Sequence, residues 1–312
     1  MIITIAAIAY ISCMVFLTAW AYHRIFHLRY FSLDYTLERC LERGDFEAGI
    51  LELPWEDISI YSPRRKAELK GQCLASSLGS LQTVIILHGR TWTRHGALKY
   101  AKGFIDKSYN IVIYDLAGHG SSPAGILPVP SYGYDDKYDL DAVVDWTKAR
   151  FPETKKLIVL GESLGAATAL QYAAIAGDGE KRKIDGIIAD CSFTSMADCM
   201  FYQVKILKVP GFIAKPAVFF ACAVSKLLRG YSLKDLSPYS AALKSPIPVL
   251  FMHGEDDLFV PAWMSSIIAK ARLEKKIGPT GLVLIPNAGH ANSIMAEPDT
   301  YYREVFSFID KL

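Results

Sequence analysis

Charged and apolar positions divide the chain into two unlike stretches. From Ile2 to Tyr22 no side chain carries a charge, and the run IITIAAIAYISCMVFLTAWAY is followed by His23, Arg24 and Arg29. As a helix rising about 1.5 Å per residue it reaches roughly 30 Å, the thickness of a bilayer's hydrocarbon core. Trp20 and Tyr22 stand where aromatic rings favour the interface. The pattern predicts a single-pass transmembrane anchor over residues 1–22, and with it a membrane location. A cleaved signal peptide is the rival, since Ala19-Trp20-Ala21 fits a small-residue cleavage site, yet no Lys or Arg precedes the run as a signal requires. Arginines after the run and none before it place the remainder in the cytoplasm by the positive-inside rule, but Asp34, Glu38 and Glu42 dilute the bias and leave the membrane face open. Residues 23–50 then read as a polar helical stalk, with Leu33, Leu37, Cys40 and Leu41 at helical spacing.

Over residues 51–312 the pattern changes to short apolar runs alternating with helical stretches. Trp55–Tyr61 and Glu68–Ala75 predict two strands at a sheet edge. Thr83–Leu87, Ile111–Tyr114, Leu157–Leu160, Ile184–Ala189, Pro248–Met252 and Leu282–Ile285 predict six more, with helices near Ala97–Lys107, Asp135–Ala149, Leu164–Ala176, Ala262–Leu273 and Thr300–Leu312. Uninterrupted apolar strands belong to a parallel sheet buried on both faces, and alternation with helices makes a doubly wound α/β domain. Residues 194–240, after the fourth of these strands, break the alternation with a greasy helical stretch. Lys215 and Lys226 bracket too few apolar residues for a second span, so a helical cap over the strand C-termini is expected, where open α/β sheets bind ligands.

Composition narrows the function classes. Lys plus Arg number 34 against 32 Asp plus Glu, a formal net charge of +2, so the broad basic surface of a nucleic-acid binder is missing. The six cysteines include no C-x-x-C, so reduced, mostly buried thiols are expected at Cys40, Cys73, Cys191, Cys199 and Cys222 rather than a zinc ribbon or disulfide scaffold. No HExxH, P-loop or dinucleotide glycine pattern calls for a metal or organic cofactor.

The candidate chemistry stands at strand ends. Gly161-Glu162-Ser163-Leu164-Gly165 follows a buried strand and opens a small-residue helix, the context that gives G-x-S-x-G its meaning. A serine hydroxyl is a weak nucleophile and needs exposure, a sharp turn and an adjacent base. His290, after the sixth strand, is the candidate base; the acidic run Glu255-Asp256-Asp257, after the fifth, offers the acid that would orient it. The order Ser163, Asp257, His290 is the Ser…Asp…His order expected where a nucleophile turn joins a strand to a helix in such a sheet, with Asp256 in reserve. Backbone N–H groups of Leu164 and Arg90 are the candidate oxyanion hole, a rim salt bridge being the other reading of Arg90. His88 reads as a loop brace; capping, surface or core positions suit His23, His27, His95, His119 and His253.

Leu87-His88-Gly89, Asp115–Ser122, Gly161–Gly165, Asp190-Cys191-Ser192-Phe193, His253–Pro261 and Gly289-His290 together resemble the α/β-hydrolase superfamily. The resemblance is strongest to the bacterial membrane-anchored serine hydrolases of its serine-aminopeptidase and prolyl-oligopeptidase-like branch, called esterases or lipases. It favours Asp257, because His-Gly-x-x-Asp is the spacing usual there. Ala117 departs from the arginine of the Asp-x-Arg-Gly-x-Gly pattern, which puts a structural ion pair at Asp115 in doubt. The resemblance implies a serine hydrolase, and the apolar cap favours a small-molecule or lipid-like ester or thioester with an apolar acyl group. A peptidase, with Asp136, Glu162 or Asp190 holding a peptide N-terminus, is the alternative; a non-catalytic tethered binding protein is a more distant one.

Overall fold

A computed structural model describes residues 2–27, 29–177 and 183–312. Met1 of the expected anchor and Leu28 of the expected stalk lie outside the described residues. In chain order the elements begin with α1 (Ile2–Phe26), α2 (Leu33–Arg43), β1 (Glu56–Ser62), β2 (Ala67–Leu74) and β3 (Gln82–Leu87). A 3-10 turn over Arg94–Tyr100 leads into α3 (Ala101–Asp106), followed by β4 (Asn110–Tyr114), α4 (Asp136–Arg150), β5 (Lys156–Glu162), α5 (Leu164–Ala173) and β6 (Gly186–Asp190). The chain continues with α6 (Met196–Ile206), α7 (Gly211–Arg229), α8 (Pro238–Ala242), β7 (Val249–Gly254) and α9 (Trp263–Glu274). It closes with β8 (Thr280–Ile285), α10 (Ser293–Ala296) and α11 (Pro298–Ile309).

One eight-stranded sheet runs in the order β1-β2-β4-β3-β5-β6-β7-β8. The pairings β1–β2 and β2–β4 are antiparallel; every pairing from β4 to β8 is parallel. The apolar runs explain that division. All positions of β4, β6 and β7 are buried, as strands covered on both faces must be, whereas β1 alternates. The chain leaves β3 toward β4 on one side and returns to β5 on the other, so the topological switch lies at β3 and β5, where ligands bind beyond the strand C-termini.

The chain forms two compact units. One is Tyr30–Thr194 with Pro238–Leu312 and carries the sheet; the other is Met1–Arg29 with Ser195–Ser237. The greasy stretch after β6 is therefore helical, as α6 and α7, and joins α1 in one unit. Counting only the residues between Lys215 and Lys226 understated α7: its 19 residues meet the length and composition needed to cross a membrane.

The expected stalk is corrected. Helix α2 is capped by the Ser32 hydroxyl, which accepts from Tyr35 N–H, and ends at Gly44 in the left-handed region, φ 66°. Its Thr36 hydroxyl lies 2.6 Å from that of Thr93 in the sheet-bearing unit. Cys40, Phe46 and Ile50 belong to the core that holds Val84, Phe104 and Tyr301. The helical spacing was legible; the buried partner of its apolar face was not, because that partner lies far along the chain. Phe46→Ala is expected to lower unfolding stability by about 3 kcal/mol, as large-to-small core changes do. Thermal or denaturant unfolding checks this, and an unchanged midpoint would restore a free stalk.

Candidate active site

Ser163 occupies the one-residue turn between β5 and α5 at φ 52° and ψ −104°, a conformation a side chain rarely adopts. Its N–H donates to the Asp190 carbonyl at 2.8 Å, tying the turn to β6. The flanking glycines are steric requirements: a Cβ on Gly161 would collide with the backbone of Gly165, and one on Gly165 would stand 2.6 Å from the Leu87 carbonyl oxygen.

Three strand ends converge on this turn. His290, on the loop after β8, brings Nε2 to 3.0 Å from Ser163 Oγ, while its Nδ1 lies 2.6 Å from Asp257 Oδ2 on the loop after β7. One neutral tautomer satisfies both contacts: Nδ1–H donates to the carboxylate and Nε2 accepts the serine O–H. The Phe259 ring meets the imidazole edge at a centroid distance of 5.0 Å. Of the three consecutive acids, Glu255 and Asp256 are exposed and Asp257 is buried, so geometry separates what the sequence left open. Asp257 Oδ1 accepts from the N–H groups of Phe259 at 2.9 Å and Val260 at 2.8 Å. Burial alone would raise its pKa. Hydrogen bonds from His253 and His290, the charge of His290 and the Val260 N–H outweigh burial and hold it at about 2. The carboxylate therefore stays ionised across the neutral range.

Leu164 is the first residue of α5, where an N–H has no intrahelical acceptor. Arg90 lies on the loop after β3. Its guanidinium stacks over Phe259 at 5.3 Å and donates to the Tyr132 hydroxyl at 3.3 Å, in place of the rim salt bridge considered for it. A cavity of about 170 Å³ opens beside Ser163 and His290, walled by Trp92 and Phe259 together with Arg43, Asp45, Arg90, Lys99 and Glu162. Arg43 and Asp45 come from the end of α2 and the residues just after it, so the segment expected as a stalk supplies part of the wall.

Residues 84–304 match the alpha/beta hydrolase family. The protein YqkD of Bacillus subtilis is 35% identical over 233 residues, 74% of this chain and 72% of its own. The chain belongs to the alpha/beta hydrolase family. Among solved structures, the Pyrococcus furiosus esterase Pf2001 superposes with a TM-score of 0.64 at 21% identity, over 85% of the hydrolase and 96% of that chain. The acylaminoacyl peptidase of Pyrococcus horikoshii gives 0.61 at 15% identity, over 84% of the hydrolase and 42% of that chain. At such identities the likeness concerns the fold.

Several supporting residues of the hydrolase escaped sequence reasoning. His253, read as a structural histidine, places Nε2 at 2.8 Å from the Val260 carbonyl and 3.2 Å from Asp257 Oδ2, so it holds the acid in place. The four-residue spacing from His253 to Asp257 was the available signal. Asp115, whose usual arginine partner is replaced by Ala117, pairs instead with Arg94 at 2.5 Å and accepts the N–H groups of Arg94 and Ser121. Lys99, on the 3-10 turn, binds Glu162 Oε2 at 2.6 Å and donates to the Ala291 carbonyl at 2.6 Å. It thereby links the residue before Ser163 to the residue after His290. Burial works against its charge, yet Glu162 and Asp190 raise the ammonium pKa above its ordinary value.

The acids considered for a peptide N-terminus are engaged internally. Glu162 pairs with Lys99, Asp136 with the fully buried Arg65, and Asp190 accepts the hydroxyls of Tyr100 and Tyr301. Among the described residues, Cys191, Asp257 and His290 bring possible metal-ligand atoms within 4.8 Å of one another. Burial pushes the Cys191 thiol well above its ordinary pKa, and the other two are bonded to each other, so the set fits a metal poorly.

Lys99→Met leaves the Glu162 carboxylate buried without its cation, and is expected to cost about 3 kcal/mol of stability. Adding Glu162→Gln recovers most of that loss; additive costs in unfolding experiments would contradict the coupling. His88 is fully buried, with Nδ1 donating to the Gly89 carbonyl at 2.7 Å and Nε2 accepting the Leu116 N–H at 2.9 Å. Burial lowers its pKa to about 4. Its burial therefore weakens the fold only below the ordinary value of about 6.5, increasingly as pH falls toward 4. Nitrogen NMR is expected to show the Nδ1–H tautomer persisting to about pH 4, whereas a midpoint near 6.5 would refute the bracing role.

Proposed function

We propose that this hydrolase is a serine hydrolase cleaving carboxylic esters or thioesters through an acyl-serine intermediate. The observation that carries the proposal is the imidazole of His290, hydrogen-bonded to Ser163 on one side and to Asp257 on the other. Ser163 Oγ attacks the ester carbonyl carbon as His290 Nε2 takes its proton, and Asp257 stabilises the imidazolium without becoming protonated. The carbonyl oxygen becomes an oxyanion, for which the Leu164 and Arg90 N–H groups are the proposed donors. Collapse breaks the bond to the alcohol or thiol, which leaves with the proton from His290. Water, deprotonated by the same imidazole, then attacks the acyl carbon. The bond from that carbon to Ser163 Oγ breaks, Oγ takes the proton back from His290, and the carboxylic acid leaves.

Trp92 and Phe259 are the aromatic side chains of a wall that also carries Arg43, Asp45, Arg90, Lys99 and Glu162, and their rings are what supports an apolar acyl group. Ion pairing of Glu162 with Lys99 and of Asp136 with Arg65, and the full burial of Asp190 against two tyrosine hydroxyls, favour an ester over a peptide, whose ammonium would need an accessible unpaired acid. The 25-residue helix α1, with His23 and Arg24 in its last turn, supports a single-pass membrane anchor.

A fluorophosphonate probe is expected to label the full chain once, and Ser163→Ala to abolish labelling. Turnover of short- and medium-chain p-nitrophenyl esters should fall at least about a hundredfold in Ser163→Ala and in His290→Ala. Unreactive, folded protein would overturn the serine mechanism, and faster cleavage of aminoacyl-naphthylamides than of any ester would overturn the choice of ester.

A further inference from the structure

Helix α7 presents to its surroundings the side that a helix of a water-soluble unit would make polar. Its buried side is small and apolar, with Ala214, Ala217, Val218 and Ala221, while its outer side carries Phe212, Phe219, Phe220 and Leu227. Phe219 is 63% exposed and Leu227 83%. Helix α1 shows the same inversion, with Ile8, Ile11, Val15 and Phe16 all outward and Phe16 67% exposed.

Three contacts set these helices side by side and pointing the same way. The Tyr10 hydroxyl donates to the Phe212 carbonyl at 3.2 Å near one end. Near the other, Arg229 Nε donates to the Tyr22 hydroxyl at 3.3 Å and its guanidinium lies 4.1 Å from the Phe26 ring centroid. Between them runs an apolar groove of about 730 Å³, lined by Ile11, Met14, Val15, Phe220 and Val224 among others. Basic residues stand at both ends of α7, Lys205 and Lys208 just before it and Lys226 and Arg229 in its last turn, with Lys215 the single charge between. Arg24 and Arg29 close or follow α1 at the Arg229 end.

We infer that α7 is a second membrane-embedded element, its Phe212–Phe219–Leu227 side continuing the lipid-facing surface of α1. Contiguous apolar surface beyond a few hundred Å² is rare on soluble units and marks an interaction site. Length and apolar composition select a bilayer as the occupant: the flanks match hydrocarbon, and the end with Arg24 and Arg229, beside Tyr22 and Phe26, matches an anionic headgroup layer. Lys205 and Lys208 at the other end have stems that reach toward headgroups. A second copy packed in parallel would bring two basic ends together. Lys215 has a stem long enough to carry its ammonium toward the headgroups.

This inference rests on α1 being the membrane anchor proposed above, and the two are separable by photocrosslinking. The full chain, carrying p-benzoylphenylalanine in place of Phe16, Phe219, Leu227 or Lys275, is reconstituted in vesicles of phosphatidylcholine with phosphatidylglycerol. Retained fluorophosphonate labelling shows that each variant is folded. Lipid adducts are expected at 16, 219 and 227 and none at 275. Adducts at 16 without adducts at 219 and 227 would overturn the inference while keeping the anchor, and absence at all of them would overturn both. Crosslinked dimers through 219 would overturn it in favour of a second copy.

Discussion

The imidazole of His290 is hydrogen-bonded on both sides, and most of the sheet-bearing unit can be read as what holds it there. Ser163, Asp257 and His290 follow β5, β7 and β8, so their meeting depends on parallel strands ending at one edge in fixed register. A shift of one strand by a residue would turn its side chains to the opposite face. Burial of β5 and β7 makes that shift costly for Ser163 and Asp257, while β8 is a partly exposed edge strand held by its parallel register with β7, so a hydrophobic pattern governs much of the hydrogen-bond geometry.

Local devices then refine the placement. The strained φ of Ser163 is tolerated because glycines at 161 and 165 let α5 close onto β3 and β5. Asp257 is oriented by two backbone N–H groups and by His253. Lys99 ties the end of β5 to the loop after β8. The residues about the triad are thus largely bonded to one another, which is how a site keeps its geometry before substrate arrives.

Much of this was legible in the sequence, for definite reasons. Runs such as Val84–Leu87 announce buried parallel strands, and the motif at Ser163 has meaning because a strand precedes it and a small-residue helix follows. Choosing between Asp256 and Asp257 depends on which side chain of a tight turn faces inward, a property of three-dimensional placement. Arg94 as the partner of Asp115, and Lys99 as a buried clamp, were hidden because a cation on a short helical stretch ordinarily faces water. The segment around α2 looked like a stalk because its apolar residues are few and their partners remote. In α7 the length and composition sufficient to cross a membrane were understated by counting only the residues between Lys215 and Lys226, since charges on long stems do not by themselves end an apolar surface.

Direct detection of the proton between His290 Nδ1 and Asp257 tests the central claim most closely. Proton NMR of the uninhibited protein is predicted to show a single low-field resonance from this short hydrogen bond, lost in His290→Ala and in Asp257→Asn but kept in Asp256→Asn. A folded protein without the resonance, or with one that survives loss of His290, would contradict the arrangement.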